Sequence, residues 1–267
     1  MKFCAPPFKR SRPALGTLLT VTLQSVSWDA GVRASQDVFA EAQRLEKIFS
    51  VFDTSSEISQ VNVQRITPFS PLSGELAHVL RWGQQLEMKS GGAFKLMPQC
   101  PHGLGSCYDI SERFITRHGS CIFDLGGIAK GYIVDCLFEK LFDLLGDGEN
   151  YSVNAGGDLR TSAEEAVEIR IPSSVGDARF AISLPAGSLA TSSRVGFFSD
   201  VGLAGARYSP DHSLCASATV AARTCMAADA FTKVALGGAP SRNFLDKFGV
   251  QALWRFDSEG GLLEHQL

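Results

Sequence analysis

Residues 121 to 135 read CIFDLGGIAKGYIVD, and the reading of this stretch decides the fold. An apolar run ends at Asp124, Gly126 and Gly127 follow, and Lys130 stands just before an amphipathic segment. The pattern predicts a short strand over CIFDLGG, a tight turn, and a helix over YIVDCLFEKLFDLLG. That helix buries Ile133, Val134, Leu137, Phe138, Leu141 and Leu145 and closes at Gly146. Glycines without side chains let backbone approach a ligand closely. A helix beginning just after Lys130 aims its first N–H groups and positive dipole end at the same place. With the Lys130 ammonium, these features favour a phosphate or pyrophosphate. Asp124 belongs beside phosphates only if it binds sugar or base groups, or neighbours a cation. Neither G-x-x-x-x-G-K-[ST] nor G-x-G-x-x-G is present, so the motif is not one of the familiar nucleotide loops. A plain strand-to-helix turn with a solvated Lys and Asp explains the stretch equally well when it is taken alone.

A second glycine pair shifts that balance. In NAGGDLR, residues 154 to 160, a strand again runs into Gly156 and Gly157 and then an acid. Asn154 and Asp158 can hydrogen-bond a ligand or brace their own loop, as in a hairpin turn or bulge. A third element, ADAFTKVALGG, reads as a helix in which Asp229 and Thr232 share a face. A carboxylate, a hydroxyl and a nearby carbonyl make a hard-oxygen site suited to Mg²⁺. The plainer alternative is a first-turn acid with a Thr bonded to its own helix. LATSS, residues 189 to 193, adds hydroxyls after a strand.

The remaining chain predicts a strand over 15–26, a helix from about Gly31 to Phe49, and a helix capped by Ser73 and stopped by Gly91–Gly92. Residues 95–120 show little periodicity and read as loop. Strands are expected in AVEIRIP, RFAISLPAGSLATSS and LCASATVAA, with a terminal hairpin around DSEGG. Strands and helices do not alternate strictly, which favours an α+β architecture. Residues 1–13 are expected to form a flexible N-terminal segment and 14–267 a single domain.

The 267 residues carry a formal charge of −3 and are 45% hydrophobic, which excludes the basic face of a nucleic-acid binder. No apolar run is long enough for a transmembrane helix. MKFCAPPFKRSRPALGT lacks the apolar core of a secretory signal, so the chain as written is expected in the cytoplasm, or in the periplasm if a leader was removed. Seven cysteines without a C-x-x-C pair argue against a disulfide framework and a zinc ribbon. Cys121 and Cys136 read as core residues. Cys100 and Cys107, flanking PHGLGS with His102, read as reduced thiols in a loop, with weak metal binding as the alternative.

Taken in order, ALGT, FSVFDTSSEISQVN, SGGAF, DLGGIAKGYIVD, VNAGGDLR, LATSS and ADAFTKVALGG resemble the FAD:protein FMN transferase (ApbE-type) family. The resemblance spans residue 14 to about 238, and the pairing of DLGGIAKG with NAGGD is its specific part. It implies a single α+β domain of the family's own type that binds FAD and Mg²⁺. It also implies transfer of FMN, through a phosphoester, to a Ser or Thr hydroxyl of a target protein, with release of AMP. Carried over by motif, Asp124 and Lys130 contact FAD, and Leu15, Phe52, Ala93, Phe94 and Lys95 fall on flavin-site positions. Asn154, Gly156, Gly157 and Thr191 complete the binding set. The Gly127 carbonyl, Asp229 and Thr232 are the implied metal ligands.

Several positions depart from the family pattern. Lys95 stands where an Asp is usual, Leu15 where a Met is usual, and Lys233 where the metal-binding Thr is usual. His212, in ARYSPDHS, is only near the place of the family's His. The segment between GAF and DLGG is short. Two alternatives therefore accompany the transferase reading: a flavin-binding member without transfer, and a Mg²⁺-dependent FAD pyrophosphatase giving FMN and AMP.

Overall fold

Apolar residues at helical spacing from Ala34 to Phe49 build the long helix on which the rest is assembled. In the computed structural model, which describes residues 6–63, 71–101, 107–146, 148–171, 176, 178–194 and 215–267, two strands, β1 (Phe8–Ala14) and β2 (Thr17–Leu23), precede this helix, α1 (Trp28–Phe49). The Ser27 hydroxyl caps α1 by accepting the Ala30 N–H. Next come α2 (Glu57–Asn62), α3 (Gly74–Lys89), the hairpin β3 (Tyr108–Ser111) and β4 (Phe114–Arg117), and α4 (Ala129–Leu145). Strands β5 (Tyr151–Ala155), β6 (Asp158–Thr161), β7 (Glu165–Ile171), β8 (Ala178–Leu184), β9 (Gly187–Ser193) and β10 (Ser217–Ala222) follow. The chain continues through α5 (Cys225–Gly237), α6 (Arg242–Asp246), β11 (Val250–Phe256) and β12 (Leu262–Gln266).

Eight strands form one sheet in the order β1-β2-β5-β6-β9-β10-β11-β12, every pair antiparallel. One face carries α1, α4 and α5. Their apolar sides and the sheet's Leu19, Val21, Val153, Ala190, Ala218 and Val220 close the main core. On the other face the β7–β8 hairpin lays Ile169, Ile171 and Leu184 against Leu159, Leu189 and Trp254. The α+β expectation holds, because an all-antiparallel sheet needs no crossover helices between neighbouring strands. Ser73 caps α3 as its sequence predicts, and Gly146 ends α4 with φ 75°. Among the described residues, no helix is long and apolar enough to cross a membrane.

Three expectations need correction. Residues 8–13 belong to edge strand β1, paired with β2 from Phe8↔Leu23 to Ala14↔Thr17. The prolines and basic residues that read as a loose tail are tolerated at a sheet edge, where one row of backbone groups faces solvent. Cys121–Leu125 forms no strand. Cys100 and Cys121 are joined as a disulfide, replacing the expected reduced thiols, and Cys107 Sγ lies 2.7 Å from Cys100 Sγ. An odd cysteine count cannot reveal one pairing made in space.

Candidate functional site

The DLGG segment has no strand beside it, so side chains satisfy its backbone. The Asn62 side chain imitates a strand partner: its Nδ2 donates to the Phe123 carbonyl at 2.9 Å, and its Oδ1 accepts the Phe123 N–H at 2.8 Å. Arg117 donates to the Cys121 and Asn62 carbonyls. The Asp124 N–H bonds the Leu96 carbonyl at 2.9 Å, tying this segment to the SGGAF loop. The Asp124 carboxylate accepts the Gly126 N–H at 3.0 Å. Burial pushes its pKa upward, and that N–H opposes the shift.

Helix α4 begins at Ala129, so Lys130 lies inside its first turn. Gly131 explains the close approach of α4 to α5, since a Cβ there would sit 2.3 Å from the Cys225 carbonyl oxygen. Across this contact the Gly131 N–H donates to Asp229 Oδ2 at 3.2 Å. One turn later Asp135 accepts the N–H groups of Cys225 and Met226, both at 2.8 Å. Arg160 holds the same carboxylate at 2.9 Å. Asp135 was missed from sequence. Its only signal is its place at the end of GYIVD, and capping another helix is a tertiary role.

The two glycine motifs and the acidic helix do converge. Lys130 Nζ lies 3.2 Å from Asp158 Oδ2, and Lys233 Nζ lies 3.0 Å from Asp229 Oδ1. Lys130 titrates above the ordinary lysine range: burial works to lower its pKa, but the Asp158 and Asp229 charges outweigh it. Burial, reinforced by the Asp229 charge, pushes Asp158 up from 3.8 to about 7. Between those values folded Asp158 binds more protons than the unfolded chain, so its contribution to stability declines as pH rises through that interval. The Asp158→Asn variant is expected to flatten this decline. Denaturant titrations of both proteins across the interval check it, and parallel pH profiles refute it.

Beside the start of α4 lies a cleft lined by Leu15, Phe49, Phe52, Leu125, Gly126 and Lys130. Leu15 and Gly16 form the β1–β2 turn with φ of 58° and 68°. A leucine in the left-handed region is strained, and the Leu15 N–H is held by Glu46 Oε1 at 2.6 Å. Phe52 is 86% exposed at the cleft, an apolar surface of the kind that aromatic ligands cover.

Other expected residues take different places. Phe94 is 1% exposed, with its ring in the core. Ala93 and Lys95 are half-buried in the same loop. Asn154 accepts the Gly157 N–H at 3.1 Å within the β5–β6 turn. A Cβ at Gly156 would meet Thr17 Oγ1 at 2.3 Å, so the NAGGD glycines serve a tight hairpin. Thr191 bonds Thr219 across β9 and β10 at 2.9 Å. Its neighbour Ser192 reaches α5 instead, because successive strand residues face opposite sides. His212 lies outside the described residues.

Asp229 and Thr232 do not fit the divalent ion that the family resemblance implies. Asp229 Oδ1 accepts from Lys233 and Oδ2 from Gly131. The Thr232 hydroxyl donates to the Asp229 carbonyl at 2.6 Å and lies 3.1 Å from Lys233 Nζ. Gly127 is buried in the turn just before α4. A small hard cation needs unobstructed oxygens close around it, and an ammonium holds those of Asp229 and Thr232. The sulfurs of Cys100, Cys107 and Cys121 also lie close together, but the Cys100–Cys121 disulfide leaves them no pair of thiolates for a metal.

The model of the ApbE family matches residues 15–99 and 105–254. A search of curated proteins finds no matching relative. Among solved structures the chain is similar to the apo form of the Pseudomonas stutzeri flavinyl transferase ApbE, with TM-score 0.76 and 20% identity over 100% of this chain and 95% of that one. It is also similar to the flavin transferase ApbE of Vibrio cholerae, with TM-score 0.75 and 17% identity over 98% and 97% of the two chains. The ApbE protein of Thermotoga maritima matches with TM-score 0.76 and 19% identity over 96% of each chain. Since the family model covers most of the residues and the fold agrees throughout, the chain belongs to the ApbE family.

Proposed function

We propose that this chain moves FMN from FAD to a Ser or Thr hydroxyl of a target protein. The supporting observation is the cleft that joins apolar walls at Leu15, Phe49 and Phe52 to Lys130 and the DLGG backbone. An isoalloxazine is flat with an apolar dimethylbenzene end, and Phe52 offers it a ring face. The pyrophosphate lies toward Lys130 and the start of α4, where the ammonium and helix dipole favour negative charge. The acceptor hydroxyl oxygen attacks the FMN phosphorus and passes its proton to water. The bond from that phosphorus to the bridging oxygen breaks, and AMP departs with the electron pair. Orientation of the two phosphates and neutralisation of the leaving charge are the protein's contributions. Magnesium enters no step here, because Lys233 holds the oxygens it would use.

The test is incubation with FAD and an acceptor protein. The expected products are AMP and an acceptor carrying one flavin stable to denaturation. Tight FAD binding with neither product instead supports the second reading, a flavin binder without transfer, which the Lys233–Asp229 pair favours. Free FMN and AMP without an adduct mark hydrolysis. No flavin binding at all refutes every one of these.

Phe52→Ala is expected to weaken FAD binding by about fivefold, the worth of one aromatic contact, without lowering the melting temperature, since the ring is exposed. Flavin fluorescence titration and thermal unfolding check both parts. Unchanged affinity would remove Phe52 from the site.

A further inference from the structure

We infer that Lys233 is a built-in cation: its ammonium fills the place among Asp229, Thr232 and Ser192 that would otherwise recruit a divalent ion. The inference deepens the flavin-site reading and rests on it for the ligand, while its geometry stands independently.

Lys233 follows Asp229 by one helical turn, so both side chains leave α5 on one face. The two are buried, with side chains 8% and 3% exposed. An ammonium has three N–H donors, and three oxygens meet this one: Asp229 Oδ1 at 3.0 Å, Ser192 Oγ at 2.5 Å and Thr232 Oγ1 at 3.1 Å. Its donors are therefore saturated by fixed groups of α5 and β9. The second Asp229 oxygen takes the Gly131 N–H, so neither carboxylate oxygen lacks a donor.

Charge leads to the same conclusion. The cluster holds two acids, Asp158 and Asp229, and two ammonium groups, Lys130 and Lys233. With both acids ionised, their formal charges cancel. Removing Lys233 leaves a net negative charge in a buried place, the condition under which a protein takes up a cation. Adding a divalent ion to the intact cluster puts like charges in contact and breaks three hydrogen bonds.

The two ammonium groups divide the work by exposure. Lys130 is one-third exposed and faces the cleft, where it meets a phosphate. Lys233 lies behind it and neutralises Asp229, so that an anion can approach α4 without meeting an uncompensated carboxylate. The dinucleotide is thus bound with no metal at Asp229.

Titration of the flavin-free chain with Mn²⁺, followed by the loss of the free-ion electron paramagnetic resonance signal, tests the inference directly. The unaltered protein is expected to take up no stoichiometric ion. Lys233→Thr, which removes the ammonium and adds a hydroxyl, is expected to gain one site per chain, and Asp229→Asn in that background should abolish it. FAD affinity of the unaltered chain should be the same in Mg²⁺ and in chelator, whereas that of Lys233→Thr should differ by roughly tenfold. One Mn²⁺ bound by the unaltered chain and lost in Asp229→Asn overturns the inference, as does a folded Lys233→Thr that gains no ion. Should Lys233→Thr fail to fold, the unaltered chain's titration still decides. Failure to bind FAD refutes the flavin reading alone, because the Mn²⁺ titration uses no flavin.

Discussion

Asp229→Ala is expected to lower the melting temperature by about 10 °C. The substitution leaves the Lys233 ammonium buried without its counter-charge and the Gly131 N–H without an acceptor. Breaking one partner out of a buried ion pair costs about 3–5 kcal/mol, far more than the pair itself contributes. For a chain of this size each kcal/mol corresponds to about 2–4 °C. Replacing both charges, as Asp229→Ala with Lys233→Met, removes the stranded ammonium, so the double variant should recover much of the loss. Thermal unfolding followed by circular dichroism measures all three proteins. A single variant that melts within about 2 °C of the parent would show that water reaches the pair.

Gly131→Val is expected to be the most damaging single change of size. Its Cβ would lie 2.3 Å from the Cys225 carbonyl oxygen and 2.9 Å from the Asp229 Cβ. Both neighbours are held by their helix, so α4 and α5 must separate, at a cost of about 3 kcal/mol or more. The separation also pulls Gly131 N–H from Asp229 and Asp135 from the Cys225 and Met226 N–H groups. Gly83→Ala provides the comparison. Its Cβ would meet Leu96 Cδ2 at 2.5 Å, but a leucine can change rotamer, so the loss should be smaller than for Gly131→Ala. Equal losses at the two glycines would mean that the helix contact yields as readily as a side chain.

The two comparisons expose which parts of the site were legible in advance. Lys130 and Asp229 were read from motif chemistry, and the structure brings them to one cluster. Asp158 was read as a possible ligand or loop brace, and its actual partner is Lys130 on another element. Asn62 sits in a matched stretch, yet its role as a stand-in strand for Phe123 depends on residues 61 positions away. Phe94 was expected against flavin, and its ring turns inward because the residues just after α3 pack on the core. The absence of a strand at Cys121–Leu125 has a similar cause. An apolar run marks an extended segment, and whether it becomes a strand depends on finding a backbone partner.

Local order, by contrast, followed from the residues themselves. The period of Ala34, Val38, Ala42, Leu45 and Ile48 makes α1 whatever surrounds it, Ser73 caps α3, and Gly146 ends α4. These outcomes depend on spacing, capping and backbone freedom, which are properties of neighbours in the chain. The family, the α+β class and the identity of the charged motifs were therefore determined by sequence. What Lys233 does was decided only by the fold. In sequence Lys233 only stands where the family's metal-binding Thr is usual, and it becomes a fixed internal cation because β9 brings Ser192 to it and α4 closes over Asp229. Burial and charge balance are sums over residues distant in sequence, so they exist only once the layers have packed.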